Sequence, residues 1–333
     1  MSNTNSQYSH KVQCNICPRR CNLSEGQRGF CFVRQNIGGK IVLTTYGYNT
    51  GLAIDPIEKK PLYHFLPGSK VLSFGTTGCN LGCAFCQNWE SSRAKIDPKL
   101  LNPTSPKQIA QAALKNDCKS VAFTYNEPIV FYEYALDTAK EARTLGLKTV
   151  AVSAGYIEPE PRIEFFKWMD AANIDLKSFN PDFYKRNCLV NIEPILDTIK
   201  YIKNETECWL ELTTLIIEGE NDNPKEIEKE CKWILDNLGS DVPLHFSAFH
   251  PAYKFMHKKS TKHQTVLDTY RIAKSMGIKH VYTGNIIDST TSTTYCSNCK
   301  NPIIERDGYS ITEYNLDEDA NCEFCGYKCE GVF

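Results

Sequence analysis

The 333-residue sequence predicts an α/β fold, a parallel sheet with helical crossovers, carrying a cysteine-rich segment at each end. Three observations lead there. Between Lys70 and about Asn285, short β-rich runs alternate with helix-patterned stretches, the signature of parallel strands joined by right-handed crossovers. Six or seven such units occur, which suits a partial or a full α/β barrel. The sixteen cysteines also cluster, with four in residues 14–31, three in 79–86 and five in 296–329. In a chain of this size, whose polar start "MSNTNSQYSHKVQ" has no leader-like character, clustered cysteines point to metal binding rather than disulfides.

The elements follow in order. "KVLSFGTT" reads as a strand, and "SPKQIAQAALKN" as a helix with Ser105 as N-cap, Pro106 at the first helical position and Gln108 completing a capping box. Further strands are expected at "SVAFTY", "KTVAVSA", "ANIDLK", "CWLELTTLII", "PLHFSAF" and "KHVYTG". Helices are expected at "VFYEYALDTAKEARTLG", "NIEPILDTIKYIKN", "PKEIEKECKWILDNLG" and "QTVLDTYRIAKSMG". "IIDSTTSTTYC" reads as a linker. The expected regions are therefore 1–69, a four-cysteine extension; 70–287, the α/β unit; and 288–333, a zinc-knuckle-like tail.

Strand alternation assigns faces. Ser120, Ala122 and Thr124 share one side of their strand, Thr149, Ala151 and Ser153 one side of the next, Asp175 and Lys177 of a third, and Glu211 and Thr213 of a fourth. Small and charged groups on one face suggest a lumen open to substrate, since a fully packed barrel favours bulky branched residues.

Charge and hydropathy exclude some classes. Thirty-eight basic against thirty-nine acidic residues give a net charge of −1, which argues against nucleic acid, and no long apolar run suggests a membrane span. A cytoplasmic protein is expected.

The cysteine groups differ in kind. Cys14, Cys17, Cys21 and Cys31 suffice for a closed site holding zinc or an iron–sulfur cluster, and their pattern does not choose between them. Cys296, Cys299, Cys322 and Cys325 form two knuckles suited to zinc, with Cys329 as a spare thiol. Cys79, Cys83 and Cys86 supply only three ligands and directly follow a strand. Catalytic metal sites keep a position open, and α/β folds place chemistry at the C-terminal ends of their strands. The alternative is a structural zinc completed by His64 or Cys118.

The stretch "GCNLGCAFC" resembles the radical S-adenosylmethionine (SAM) motif, in which three cysteines hold a [4Fe–4S] cluster and SAM binds the fourth iron. With "CNICPRRC", "IDPIEKKPLYHFLPGS", "FTYNEP", "NIDLKSF" and "YTGN", the chain resembles the AmmeMemoRadiSam-system radical SAM enzymes, related to pyruvate formate-lyase activating enzymes. The resemblance implies a partial (β/α)6 barrel, with Cys79, Cys83 and Cys86 as cluster ligands and Phe85 beside the adenine. Glu127 would contact the SAM amino group, although Tyr125 and Asn126 stand where the superfamily often has two glycines. Ser153, Asp175, Lys177, His250 and Asn285 are further candidate SAM or substrate contacts. All but Asn285 have a plainer reading: a helix-capping Glu127, a turn Ser153, an Asp175–Lys177 ion pair, a loop His250.

The implied chemistry is reductive cleavage of SAM by an electron from an external low-potential donor, then hydrogen abstraction from an unknown substrate, a protein, a peptide or a small metabolite. Memo-like and Amme-type proteins are the implied partners. The rival readings are a radical SAM methylase using Cys188 and a zinc-stabilised binding scaffold.

Overall fold

The computed structural model describes residues 11–95 and 103–333; the first ten residues of the expected N-terminal extension lie outside the described residues. Two small antiparallel hairpins come first, β1 (Val12–Gln13) with β2 (Asn22–Leu23) and β3 (Arg34–Ile37) with β4 (Lys40–Leu43). One eight-stranded sheet follows. Its strands are β5 (Leu52–Pro56), β6 (Lys70–Phe74), β7 (Ser120–Phe123), β8 (Lys148–Ser153), β9 (Ala171–Asp175), β10 (Trp209–Ile216), β11 (Leu244–Ala248) and β12 (Val281–Gly284), adjacent in that order. β6 to β12 are all parallel, at the seven positions expected. β5, which the alternation does not announce, pairs antiparallel with β6 at the edge. The tail forms a three-stranded antiparallel sheet of β13 (Thr294–Tyr295), β14 (Pro302–Asp307) and β15 (Ser310–Tyr314).

The helices are α1 (Trp89–Ser92), α2 (Pro106–Lys115), α3 (Tyr132–Thr144), α4 (Pro159–Lys167), α5 (Pro181–Phe183), α6 (Glu193–Glu205), α7 (Pro224–Leu238), α8 (His263–Met276) and α9 (Ser289–Ser292). α2, α3, α4, α6, α7 and α8 are the crossovers. The capping box of α2 forms as expected: Gln108 N–H donates to Ser105 Oγ at 3.3 Å and Ser105 N–H to Gln108 Oε1 at 2.8 Å. In α7 the buried positions Ile227, Cys231, Ile234 and Leu238 recur every three or four residues, so one stripe meets the sheet. Burial of each such isoleucine or leucine is worth about 1.5–3 kcal/mol. α4 carries no clear period, because Pro159 and Pro161 occupy its first turn and only Phe165 and Phe166 are buried.

Below the pocket the sheet interior is apolar. Ile57, Leu62 and Phe65, from the segment joining β5 to β6, pack against Val71, Ala122, Val150 and Ala171 near the starts of the parallel strands. Polar bonds pin the same segment: Asn173 Nδ2 donates to the Pro61 carbonyl at 2.7 Å, and Glu211 accepts the Tyr63 and His64 N–H groups at 3.0 and 2.8 Å. The "IDPIEKKPLYHFLPGS" stretch is thus a floor. It also corrects the reading of β8, where Val150 and Val152 face this layer while Ala151 joins the helix-side core and Thr149 bonds Trp168 and Asp170. The faces read for β7, β9 and β10 hold.

The tail docks against the floor. Leu66 N–H donates to the Val332 carbonyl at 2.7 Å, and Val332 N–H to the His64 carbonyl at 2.8 Å. Arg306, from β14, is fully buried, donating to the Tyr63 carbonyl at 2.8 Å and Thr294 Oγ1 at 2.9 Å, over the Tyr63 ring and 3.8 Å from the buried Glu58. The Ser/Thr stretch read as a linker is therefore packed structure: Thr291, Ser292, Thr293 and Thr294 are all buried.

Candidate active site

At the C-terminal ends of β6 to β12 lies a cavity of about 300 Å3. Cys79, Cys83, Cys86, Phe85, Glu127, Ser153, Asp175, Lys177 and Asn285 all line it. Of the candidate residues for this site, His250 alone does not: it is solvent-exposed and pairs with Ser260 Oγ at 3.3 Å, because the chain has already turned outward after β11. The histidine that does line the cavity is His245, on β11 itself, held by Glu211 at 2.7 Å. Its inward position on a strand was the available signal.

The loop after β6 is held by a residue that sequence reasoning set aside as a departure. Tyr125 adopts the left-handed conformation, φ 69°, that a glycine would take more readily, and this turns Asn126 back into the loop. Asn126 Oδ1 accepts the Thr76 N–H at 2.9 Å, while its Nδ2 donates to the Gly78 carbonyl at 2.8 Å and the Thr77 carbonyl at 3.2 Å. The Tyr125 hydroxyl is anchored on Asp55 at 2.9 Å. Asn126→Ala would strand a buried N–H and two carbonyls, so it should lower the unfolding free energy by about 2–3 kcal/mol, read by chemical denaturation. A change below about 0.5 kcal/mol would show that these bonds do not hold the loop.

A second set of bonds fixes the far side. Gly82 N–H donates to the Cys188 carbonyl and Ala84 N–H to the Asn187 carbonyl, both at 2.8 Å. Cys188 is fully buried behind the loop, hydrogen-bonded to Cys83, and does not line the cavity. That hydrogen bond, then burial, pushes the Cys83 thiol well above its usual pKa.

Glu127 is the buried acid of the site. It accepts hydrogen bonds from Ser153 Oγ at 2.6 Å, Ala154 N–H at 2.8 Å and Ile129 N–H at 3.3 Å. Burial raises its pKa to about 7 against the pull of those donors. Lys177 sits 2.8 Å from Asp175; burial opposes its charge, but Asp175 and Cys83 outweigh that and hold its pKa well above the usual range. Asn285, with φ 58°, donates to the Ala248 carbonyl at 3.0 Å.

The donor set suits a three-cysteine iron–sulfur cluster with SAM on its open iron. Three thiols and one carboxylate face a single cavity, and Thr213 Oγ1 lines it, buried, with no partner among the described residues.

The two terminal cysteine groups are built differently. Cys296, Cys299, Cys322 and Cys325 bring their sulfurs within 4.8 Å of one another, with 3.6 Å from Cys296 to Cys325 and 3.7 Å from Cys299 to Cys322. This group can bind a metal ion. Cys329 stays apart, buried 4.0 Å from His64 Nδ1. Cys14, Cys17, Cys21 and Cys31 line a separate cavity between the first two hairpins and the Cys79 loop.

Comparison with known proteins gives the chain's relatives. The family profile "Radical SAM superfamily" matches residues 74–234, which include all three loop cysteines. An uncharacterized protein of Methanocaldococcus jannaschii is 41% identical over 324 residues, covering 97% of this chain and 96% of its own. The 4-hydroxyphenylacetate decarboxylase activating enzyme of Clostridium scatologenes is 26% identical over 127 residues, covering 37% of this chain and 40% of its own. Among solved structures, Streptococcus suis SuiB bound to precursor peptide SuiA superposes with a TM-score of 0.51 at 14% identity, over 69% of this chain and 51% of SuiB. This last likeness is one of fold, and the chain spans about half the length of SuiB.

Proposed function

We propose, from the radical SAM profile matched over residues 74–234, that the chain is a radical SAM enzyme that cleaves SAM reductively and abstracts a hydrogen atom from a substrate held in the 300 Å3 cavity. One observation carries the reading: three thiols and a buried carboxylate converge on one cavity at the C-terminal ends of seven parallel strands. In this reading Cys79, Cys83 and Cys86 hold a [4Fe–4S] cluster whose open iron takes SAM. When bound, cluster and SAM supply a 5′-deoxyadenosyl radical at the cost of one external electron.

The chain's own residues then do positioning work. Ser153 and the Ala154 N–H fix the Glu127 carboxylate for the SAM amino group, and Phe85, wedged against Phe183 and Phe255, presents a flat apolar face. Asp175, Lys177 and Asn285 supply the polar wall, Thr213 a hydroxyl with no partner among the described residues, and the floor segment closes the other end to water. His250 has no part. The parallel strands in this reading form a partial barrel between a four-cysteine extension, residues 1–69, and a tail, 288–333, whose close-set sulfurs favour zinc. Motifs over the whole chain support the AmmeMemoRadiSam-system subgroup, and with it an external low-potential electron donor and Memo-like or Amme-type partners.

The test is anaerobic reconstitution followed by reduction with dithionite. SAM should alter the EPR signal of the reduced cluster, and 5′-deoxyadenosine should accumulate; an unchanged signal with no nucleoside would overturn the reading. A pH dependence follows from Glu127, whose raised pKa leaves it protonated below about pH 7. Ionisation with rising pH creates the charge that attracts the SAM ammonium, so SAM affinity should increase as pH climbs from 6 to 8. In Glu127→Gln the titration of SAM affinity should be flat, and a variant that keeps the wild-type slope would assign the dependence to another group.

A further inference from the structure

We propose that Cys14, Cys17, Cys21 and Cys31 hold an iron–sulfur cluster rather than a zinc ion, at a site that shares a wall with the Cys79 loop. The inference does not rest on the radical reading of the central cavity.

The two terminal groups calibrate each other. Four thiolates on one ion at about 2.3 Å place their sulfurs about 3.8 Å apart, the edge of the tetrahedron. The C-terminal sulfurs stand at that spacing, 3.6 Å for Cys296–Cys325 and 3.7 Å for Cys299–Cys322. Among the described residues no three of the N-terminal sulfurs come within 4.8 Å of one another. Yet all four line one cavity, about 20 Å3 against the 300 Å3 of the central one. The thiols border one common space, with no three sulfurs placed to share a single ion. In a cluster each thiolate binds an iron of its own or shares one with a single neighbour, so its sulfurs must stand apart.

The walls suit such an occupant. Phe30, Ile129 and Val130 make them largely apolar. Of the two arginines in the wall, Arg19 and Arg34, the more deeply buried is Arg34, whose two terminal nitrogens donate to Glu133 at 2.9 and 2.7 Å while its Nε is buried with no partner among the described residues. A buried donor without an acceptor is costly, and a sulfur of a bound cluster is an acceptor. The second wall is the active-site loop. Gly78 has φ 87°, and a Cβ there would collide with the Cys31 carbonyl, so loop and N-terminal site are in backbone contact. Asn80 lines the N-terminal cavity and Cys79 the central one, a single Cα step of about 3.8 Å apart.

The experiment uses the full chain, produced and reconstituted anaerobically, with iron, sulfide and zinc counted per chain. In Cys79→Ser/Cys83→Ser/Cys86→Ser the central site is gone. The triple variant should still carry about two to four irons with matching sulfide, and reduction should give an EPR signal indifferent to SAM. Cys17→Ser/Cys31→Ser should lose that iron while its zinc content stays at the C-terminal level. A triple variant with no iron and a second zinc, or with metal at the C-terminal site alone, overturns the proposal. Should the double variant fail to fold, the triple variant and the wild-type metal ratio decide. Failure of the radical reading looks different: the iron of the triple variant is unaffected, and the wild-type signal ignores SAM.

Discussion

Cys83→Ser should bring 5′-deoxyadenosine formation to background, a loss larger than the ~10–100-fold typical of disturbing a residue behind a metal ligand. A serine hydroxyl does not deprotonate near neutral pH to bind iron, so two thiolates would be left for a cluster that needs three. The loop itself should survive, because its shape comes from Asn126 on one side and from the carbonyls of Asn187 and Cys188 on the other, none of which involves the Cys83 sulfur. The same residue gives cluster assembly a pH dependence. The Cys188 hydrogen bond and burial hold its thiol protonated at neutral pH, so uptake of iron must displace a proton and should be favoured as pH rises. Quantifying iron and nucleoside in the same reconstituted sample checks the claim; a variant keeping a tenth of wild-type turnover would remove Cys83 from the ligand set.

Arg306→Ala should cost about 3–5 kcal/mol of stability, the range for breaking one side of a buried charge pair. The side chain is fully buried and feeds the Tyr63 carbonyl, the Ser292 carbonyl and Thr294 Oγ1, so its removal strands three acceptors and leaves Glu58 without its cation. Burial already raises the Glu58 pKa, and Arg306 is what opposes it. The melting temperature should fall by roughly 5–10 °C, with the Tyr63–His64 floor loosening as the tail undocks. Replacing both members of the pair, Arg306→Met with Glu58→Gln, should recover part of the loss, because no unpaired charge then remains buried. If Arg306→Ala melts within a degree of wild type, the tail does not depend on this contact.

Element order was legible because strand and helix periods are local properties. Seven parallel strands appear where the alternation places them, and the α2 capping box forms between residues three apart. Where periodicity was masked the reading failed: α4 is hidden by its prolines, and β5 precedes a floor segment held by Asn173 and Glu211 from distant strands. The candidate site was legible to a similar depth. The thiols, Glu127, Ser153, Asp175, Lys177 and Asn285 share one cavity, since each ends a strand or lies in the loop that follows one. His250 lies one residue past the point where the chain turns outward, and no periodicity marks that turn.

What the sequence determined by itself was therefore everything set by short separations: strand and helix order, the three-ligand loop behind a strand, and paired knuckles in the tail. Only the tertiary structure decided which side of β8 faces inward, that Arg306 reaches Tyr63 across 243 positions, and that Gly78 rests against Cys31. The physical reason is that a period of two states which residues share a face, but which face is buried depends on what packs there. For β8 that is the floor segment, brought in by β5 from the sheet's edge.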